Sequence, residues 1–152
     1  MNSLGILFLL TVASAGTLGE QIPDWADEGR LGKYQDAWKS LDQGEDSVFY
    51  LAKATYKKDR GSWGENFKCV AVKETEKQSE KKIVKSRFVF MNETSGGSKT
   101  IFDVTEDVQA VTLYGYQKPN AIKYRVESFE GMTDPLVFSD GEYCDLILRT
   151  IC

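Results

Sequence analysis

From residue 48 onward the chain is a series of short apolar runs cut by turn signals, and this pattern constrains the fold more than any other feature. Strand-like runs fall at 48–56, 67–73, 83–91, 100–104, 109–117, 121–126 and 143–148, with a short extended stretch at 136–138. Gly96-Gly97, Pro119-Asn120, Gly131 and Asp140-Gly141 punctuate them. Residues 74–82 are polar or charged throughout and read as an exposed hairpin loop. The one helical pattern is at 33–41, where Tyr34, Ala37, Trp38 and Leu41 recur at spacings of three and four. Many short strands joined by tight turns, after one opening helix, predict an all-β, up-and-down antiparallel barrel. The runs amount to about seven strands, one short of the eight common in ligand-holding barrels.

The run at 48–56 has an unusual inner face. Side chains alternate along a strand, so Tyr50, Ala52, Ala54 and Tyr56 share one side. Two alanines between two tyrosines fill a core poorly and suit the wall of a cavity. Asp59 places a carboxylate near the end of that wall, with Trp63 just beyond.

The chain begins with the apolar run Leu4 to Val12, followed by Ala13-Ser14-Ala15. That run is too short to span a bilayer, and small residues follow it, as in a secretory signal peptide. Residues 1–19 are therefore expected to be a signal, cleaved after Ala15 or Gly19, with 20–152 forming one secreted domain. Nothing later reads as a membrane span. The net charge of −4, with acidic and basic residues interspersed, carries no basic patch for nucleic acid. Cys69, Cys144 and Cys152 are an odd number of thiols for a secreted chain. One is free, or pairs between chains as in a disulfide-linked dimer, or lacks a partner segment. Asn92-Glu93-Thr94 is an N-glycosylation sequon in a turn-like setting.

The residue inventory narrows the chemistry. There is no histidine, which removes Ser-His and Cys-His pairs and the commonest metal ligand. No phosphate-cradling glycine motif occurs, Cys69 and Cys144 lack metal-type spacing, and no cofactor is implied. What remains is aromatics and acids near strand ends: Tyr56, Asp59, Trp63, Glu106, Tyr116, Tyr124, Asp134 and Asp145. That set suits a small cation. A hydrogen bond to a charged group is worth about 1.5–3 kcal/mol, and an aromatic face adds roughly 0.5–2 kcal/mol. Two carboxylates with two or three rings are therefore enough, at the upper part of these ranges, for sub-micromolar affinity for an amine. Each residue also has an ordinary structural reading, Asp59 as a turn cap and Trp63 as a barrel lid among them.

The segments 23–28, 35–41, 53–57, 67–70, 88–92 and 114–116, with Cys144-Asp145, resemble in order and spacing the histamine-binding lipocalins of tick saliva. The resemblance covers nearly the whole chain after residue 19. It implies an eight-stranded lipocalin (calycin) barrel with flanking helices that binds histamine, or serotonin in some members, and suppresses host inflammation without catalysis. It implies a main amine site at Tyr56, Asp59, Trp63, Glu106 and Tyr124, with Met132 where the family has an aromatic. It implies a second site at Ser40, Asp134 and Asp145, with Gly44 where the family has an acid and Asp42, Glu45 and Asp46 close by. The family also carries a further strand and a C-terminal helix, which supply the partners of Cys69 and Cys144. By that comparison the barrel is expected to be truncated before its last strand. The expected partner is a small amine bound by a monomer.

Two other readings stay open. One is a carrier of fatty acids or leukotrienes in the same barrel, which needs a basic group such as Arg87 or Arg125. The other is a variant without a competent pocket.

Overall fold

The computed structural model describes residues 22–44, 46–59, 62–124 and 132–149. Seven strands form one antiparallel sheet in the order β1 (Val48–Tyr50), β4 (Phe67–Gln78), β5 (Ile83–Glu93), β6 (Lys99–Val111), β7 (Ala121–Tyr124), β8 (Thr133–Ser139) and β9 (Asp145–Ile147). The two-residue strands β2 (Lys58–Asp59) and β3 (Gly64–Glu65) make a separate hairpin. The large sheet curls into a lipocalin-like half-barrel whose edges, among the described residues, are β1 and β9.

Alternation sets the two faces. Along β5, Val84, Ser86, Phe88 and Phe90 are buried, while Lys85, Arg87, Val89 and Met91 lie outward or partly covered. Val84, Phe88, Val108, Ile122 and Leu136 make the core on the inner face, closed at one end by Ala37 and Trp38. Each such buried side chain contributes roughly 1.5–3 kcal/mol. The helix α2 (Ala37–Leu41) starts at Asp36, whose carboxylate accepts from the Lys39 amide at 3.0 Å. Gln35 locks the arm to the barrel. Its Nε2 donates to the Trp25 and Val137 carbonyls at 2.9 Å, and its Oε1 accepts from the Tyr116 hydroxyl at 2.6 Å.

Several sequence expectations are corrected. The polar segment 74–82 is not a loop: β4 runs to Gln78, and only 79–82 turn, with Lys82 left-handed at φ +53°. Its polar side chains stand outward on a paired strand, except Glu74, which is buried. The runs at 100–104 and 109 onward are one 13-residue strand, β6, because its ladder to β5 is unbroken from Lys99 to Gln109. Residues 112–117 are not strand; Tyr114 and Gly115 turn the chain at φ +55° and +76°.

The run 48–56 is strand only to Tyr50. Its partner β4 has a register break between Lys68 and Ala71, where Cys69 takes φ +55°, and the ladder cannot continue past it. Tyr50 is 72% exposed, so the expected two-tyrosine wall does not form. The helical pattern at 33–41 divides into a 3₁₀ turn, Gly32–Tyr34, and α2; a further short helix, α1 (Glu28–Leu31), stands in the arm.

Candidate ligand-binding site

The β2–β3 hairpin is the platform for Asp59 and Trp63. Asp59 pairs with Gly64, and one carboxylate oxygen accepts the Ser62 amide at 3.1 Å, which caps the turn. Trp63 then folds over the inner face of β5, its ring 5.5 Å from Phe88 and 5.2 Å from Phe90. Tyr124 comes from β7, 6.3 Å from Phe88, and Asp134 comes from the adjacent β8. Asp59 and Asp134 are 3% and 0% exposed.

These groups converge on a residue that stood outside the sequence-based site, Arg149. Its Nε donates to Asp59 Oδ2 at 3.1 Å, its Nη1 to Asp134 Oδ2 at 2.6 Å, and its Nη2 to the Ser62 hydroxyl. The guanidinium carbon lies 5.3 Å from the Tyr124 ring centre and 5.7 Å from that of Trp63. Burial disfavours the charged guanidinium, but Asp134 and Asp59 outweigh it and leave its pKa raised. Alternation offered a signal for Arg149. Asp145, Ile147 and Arg149 share one side of an extended segment, and Ile147 packs against the core.

Glu106 stands on β6 opposite Ser86, on the inner face. Burial pushes its carboxyl up to about 7, against the opposing pull of Arg149. Tyr124 is pushed well above its ordinary value, first by burial and then by Asp134; Glu106 adds to this. Tyr56 is raised by burial and feels Arg149, Asp59 and Asp134 as well. Tyr56, Asp59, Trp63, Glu106 and Tyr124 thus occupy one electrostatic neighbourhood. Met132 contributes the carbonyl that accepts the Tyr124 amide at 2.9 Å. Tyr56 also lines an open cleft of about 440 Å³, shared with Ala54, Phe67 and Asn66 and rimmed by the Lys68–Glu93 ion pair. Neither Asp59 nor Asp134 lines that cleft; the Arg149 guanidinium lies between the two carboxylates.

The second predicted group divides. The Ser40 hydroxyl donates to Asp145 and ties α2 to β9, whereas Asp134 belongs with Asp59 around Arg149. Gly44 has φ +88°, Asp42 pairs with Lys77 at 2.5 Å, and Glu45 lies outside the described residues.

Cys69 and Cys144 are free, exposed thiols. Cys152, Arg125 and residues 1–21 lie outside the described residues. Arg87 is exposed and held by Asp103 at 2.8 and 2.5 Å, away from the interior. Asn92 is not in a turn. It pairs with Thr100 inside the sheet, and its carboxamide packs against Gly64.

Residues 25–150 match the family model described as tick histamine binding protein. The chain is 37% identical over 147 residues to a male-specific histamine-binding salivary protein of Rhipicephalus appendiculatus, covering 93% of this chain and 69% of that one. It is 38% identical over 136 residues to female-specific histamine-binding protein 1 of the same tick, covering 89% and 69%.

Proposed function

Because the chain belongs to the tick histamine-binding protein family, we propose that it is a secreted protein that sequesters histamine or a closely related amine. The observation that carries this reading is the convergence of two buried carboxylates and two aromatic faces on one cation. The Arg149 guanidinium stands where a ligand ammonium would stand. An ammonium there donates to Asp59 and Asp134, and the flat ring of the amine lies against Trp63 and Tyr124. Tyr56 leads to the site from the cleft, and Glu106 offers a third acidic group to the ligand's far end. Sequestration makes and breaks no covalent bond. Removing free amine at a bite is the way such a protein dampens host inflammation, and the leader-like N-terminus fits export in saliva.

Ser40 and Asp145 are the remaining pair through which a second ligand would be held. The protein acts as a monomer, and the exposed Cys69 and Cys144 thiols are the groups through which a disulfide-linked dimer would form. Titration calorimetry of the secreted chain with histamine and with serotonin tests the reading. Saturable histamine binding, weakened about 10-fold or more in Asp59→Ala and in Glu106→Ala, is expected from the value of a charged hydrogen bond. No binding of either amine, with no rise in unfolding temperature at millimolar histamine, would overturn it.

A further inference from the structure

We propose that Arg149 is an affinity-determining residue: a tethered cation that competes with a free one for the seat between Asp59 and Asp134. Its identification of the free cation as an amine rests on the function proposed above. The guanidinium uses one oxygen of each carboxylate, the Ser62 hydroxyl and the faces of Trp63 and Tyr124. Those are the groups any small cation would need. The seat is closed around the side chain, which is 9% exposed. A second cation cannot join it there, because two like charges in a poorly solvated site repel strongly. Binding at this seat therefore requires the guanidinium to leave.

The chain is built so that it can. Arg149 follows β9, which is three residues long and has β8 as its neighbour at the sheet edge. The Leu148 amide donates to the Pro135 carbonyl at 2.9 Å and fixes the ladder one residue earlier. Rotating the Arg149 side chain outward breaks no rung of the sheet. Tyr56, which feels the charges of Arg149, Asp59 and Asp134, also lines an open cleft, so the seat has solvent-accessible space on the far side of that ring. The apparent affinity then equals the intrinsic affinity multiplied by the fraction of molecules whose seat is empty. A guanidinium seated about 90–99% of the time weakens binding roughly 10- to 100-fold. A chain with the same carboxylates and rings but no arginine at 149 should bind amines correspondingly more tightly.

The test compares the intact chain with Arg149→Ala and Arg149→Lys by calorimetry, using methylguanidinium and histamine separately. Arg149→Ala should take up methylguanidinium, which fits the vacated seat, at least about 10-fold more tightly than the unmodified protein. It should bind histamine more tightly by a similar factor. Arg149→Lys, whose ammonium cannot span both carboxylates and Ser62 at once, should fall between the two. Equal methylguanidinium affinity in Arg149→Ala and the unmodified protein overturns the proposal. So does weaker histamine binding in both variants, which would make Arg149 a support for the pocket. Tighter methylguanidinium binding with no histamine binding in any protein leaves the tethered cation standing and removes the amine function instead. If Arg149→Ala does not fold, Arg149→Lys decides: histamine binding equal to or weaker than that of the unmodified protein overturns the proposal.

Discussion

Asp59 and Asp134 approach one guanidinium from two different sheets, at 3.1 and 2.6 Å. The hairpin carrying Asp59 and Trp63 is thereby bound to the β8 side of the half-barrel through a charge rather than through a strand ladder. This connection has a large desolvation cost and is stable only while all three ions are present. Asp134→Asn should lower the unfolding free energy by about 3 kcal/mol, because it leaves Arg149 buried with one carboxylate partner. Arg149→Met should also destabilise, by leaving two carboxylates close together. The double variant should lose clearly less than the sum, with a coupling of about 1–3 kcal/mol. Urea unfolding of the four proteins gives the coupling directly, and strict additivity would show that the triad does not act as a unit.

Glu106 makes stability depend on pH in an unusual direction for a carboxylate. Its ordinary value is 4.5, and burial raises it to about 7 in the folded protein. Between those values the folded state holds a proton that the unfolded chain has released, so rising pH across that window favours unfolding. Glu106→Gln should flatten the fall in melting temperature between about pH 4.5 and 7 and be the more stable protein above it. The reverse holds for binding: a cation drawn close to Glu106 favours its ionised form. Histamine binding near pH 7 should release protons, visible as a dependence of calorimetric heat on the buffer's ionisation enthalpy, and Glu106→Gln should lose that part of the release. Parallel melting curves for the two proteins from pH 4.5 to 8 would remove Glu106 as the titrating group.

The alternation in residues 83–91 is carried faithfully into β5, because both of its edges are paired and one face is buried. Residues 51–56 read just as clearly as strand, yet leave the ladder, since the obstacle lies in the partner strand at Cys69 rather than in the run itself. Residues 74–78 show the opposite failure: charged side chains on a ladder look like a loop when only composition is counted. Within the candidate site, Asp59, Trp63, Glu106 and Tyr124 were legible as acids and rings near strand ends. Arg149 was not, because long-range charge pairing leaves no mark in local sequence. Only the side it shares with Ile147 points inward. Asp134 was legible as an acid, but its place beside Asp59 depends on the same arginine.

Gln35 separates structural from ligand-linked polarity. It is 1% exposed and holds two carbonyls and the Tyr116 hydroxyl at once. Gln35→Met should cost about 3 kcal/mol, since it strands several buried polar groups, while histamine affinity stays within about twofold. Denaturant unfolding and calorimetry on the same preparation check both halves. A large loss of affinity with unchanged stability would mean that Gln35 acts on the site.

Gly64 and Asn92 hold the floor of the hairpin. Gly64 has φ +77°, and a Cβ added there would stand 2.7 Å from Asn92 Nδ2. The Asn92 Oδ1 is shut off from solvent. Gly64→Ala should therefore cost about 1–2 kcal/mol from the left-handed backbone alone, and more from the contact with Asn92. Adding Asn92→Ala should recover the contact part and leave the backbone part, which denaturant unfolding of the single and double variants resolves. The same contact bears on the sequon. A glycan on Nδ2 would occupy the space of Gly64 and lift the hairpin that carries Asp59 and Trp63 off the sheet. Protein secreted from insect cells should carry an unmodified Asn92 by peptide mass spectrometry in the fraction that binds histamine. A glycosylated Asn92 in that fraction would show that the hairpin need not pack on β5 for the site to work.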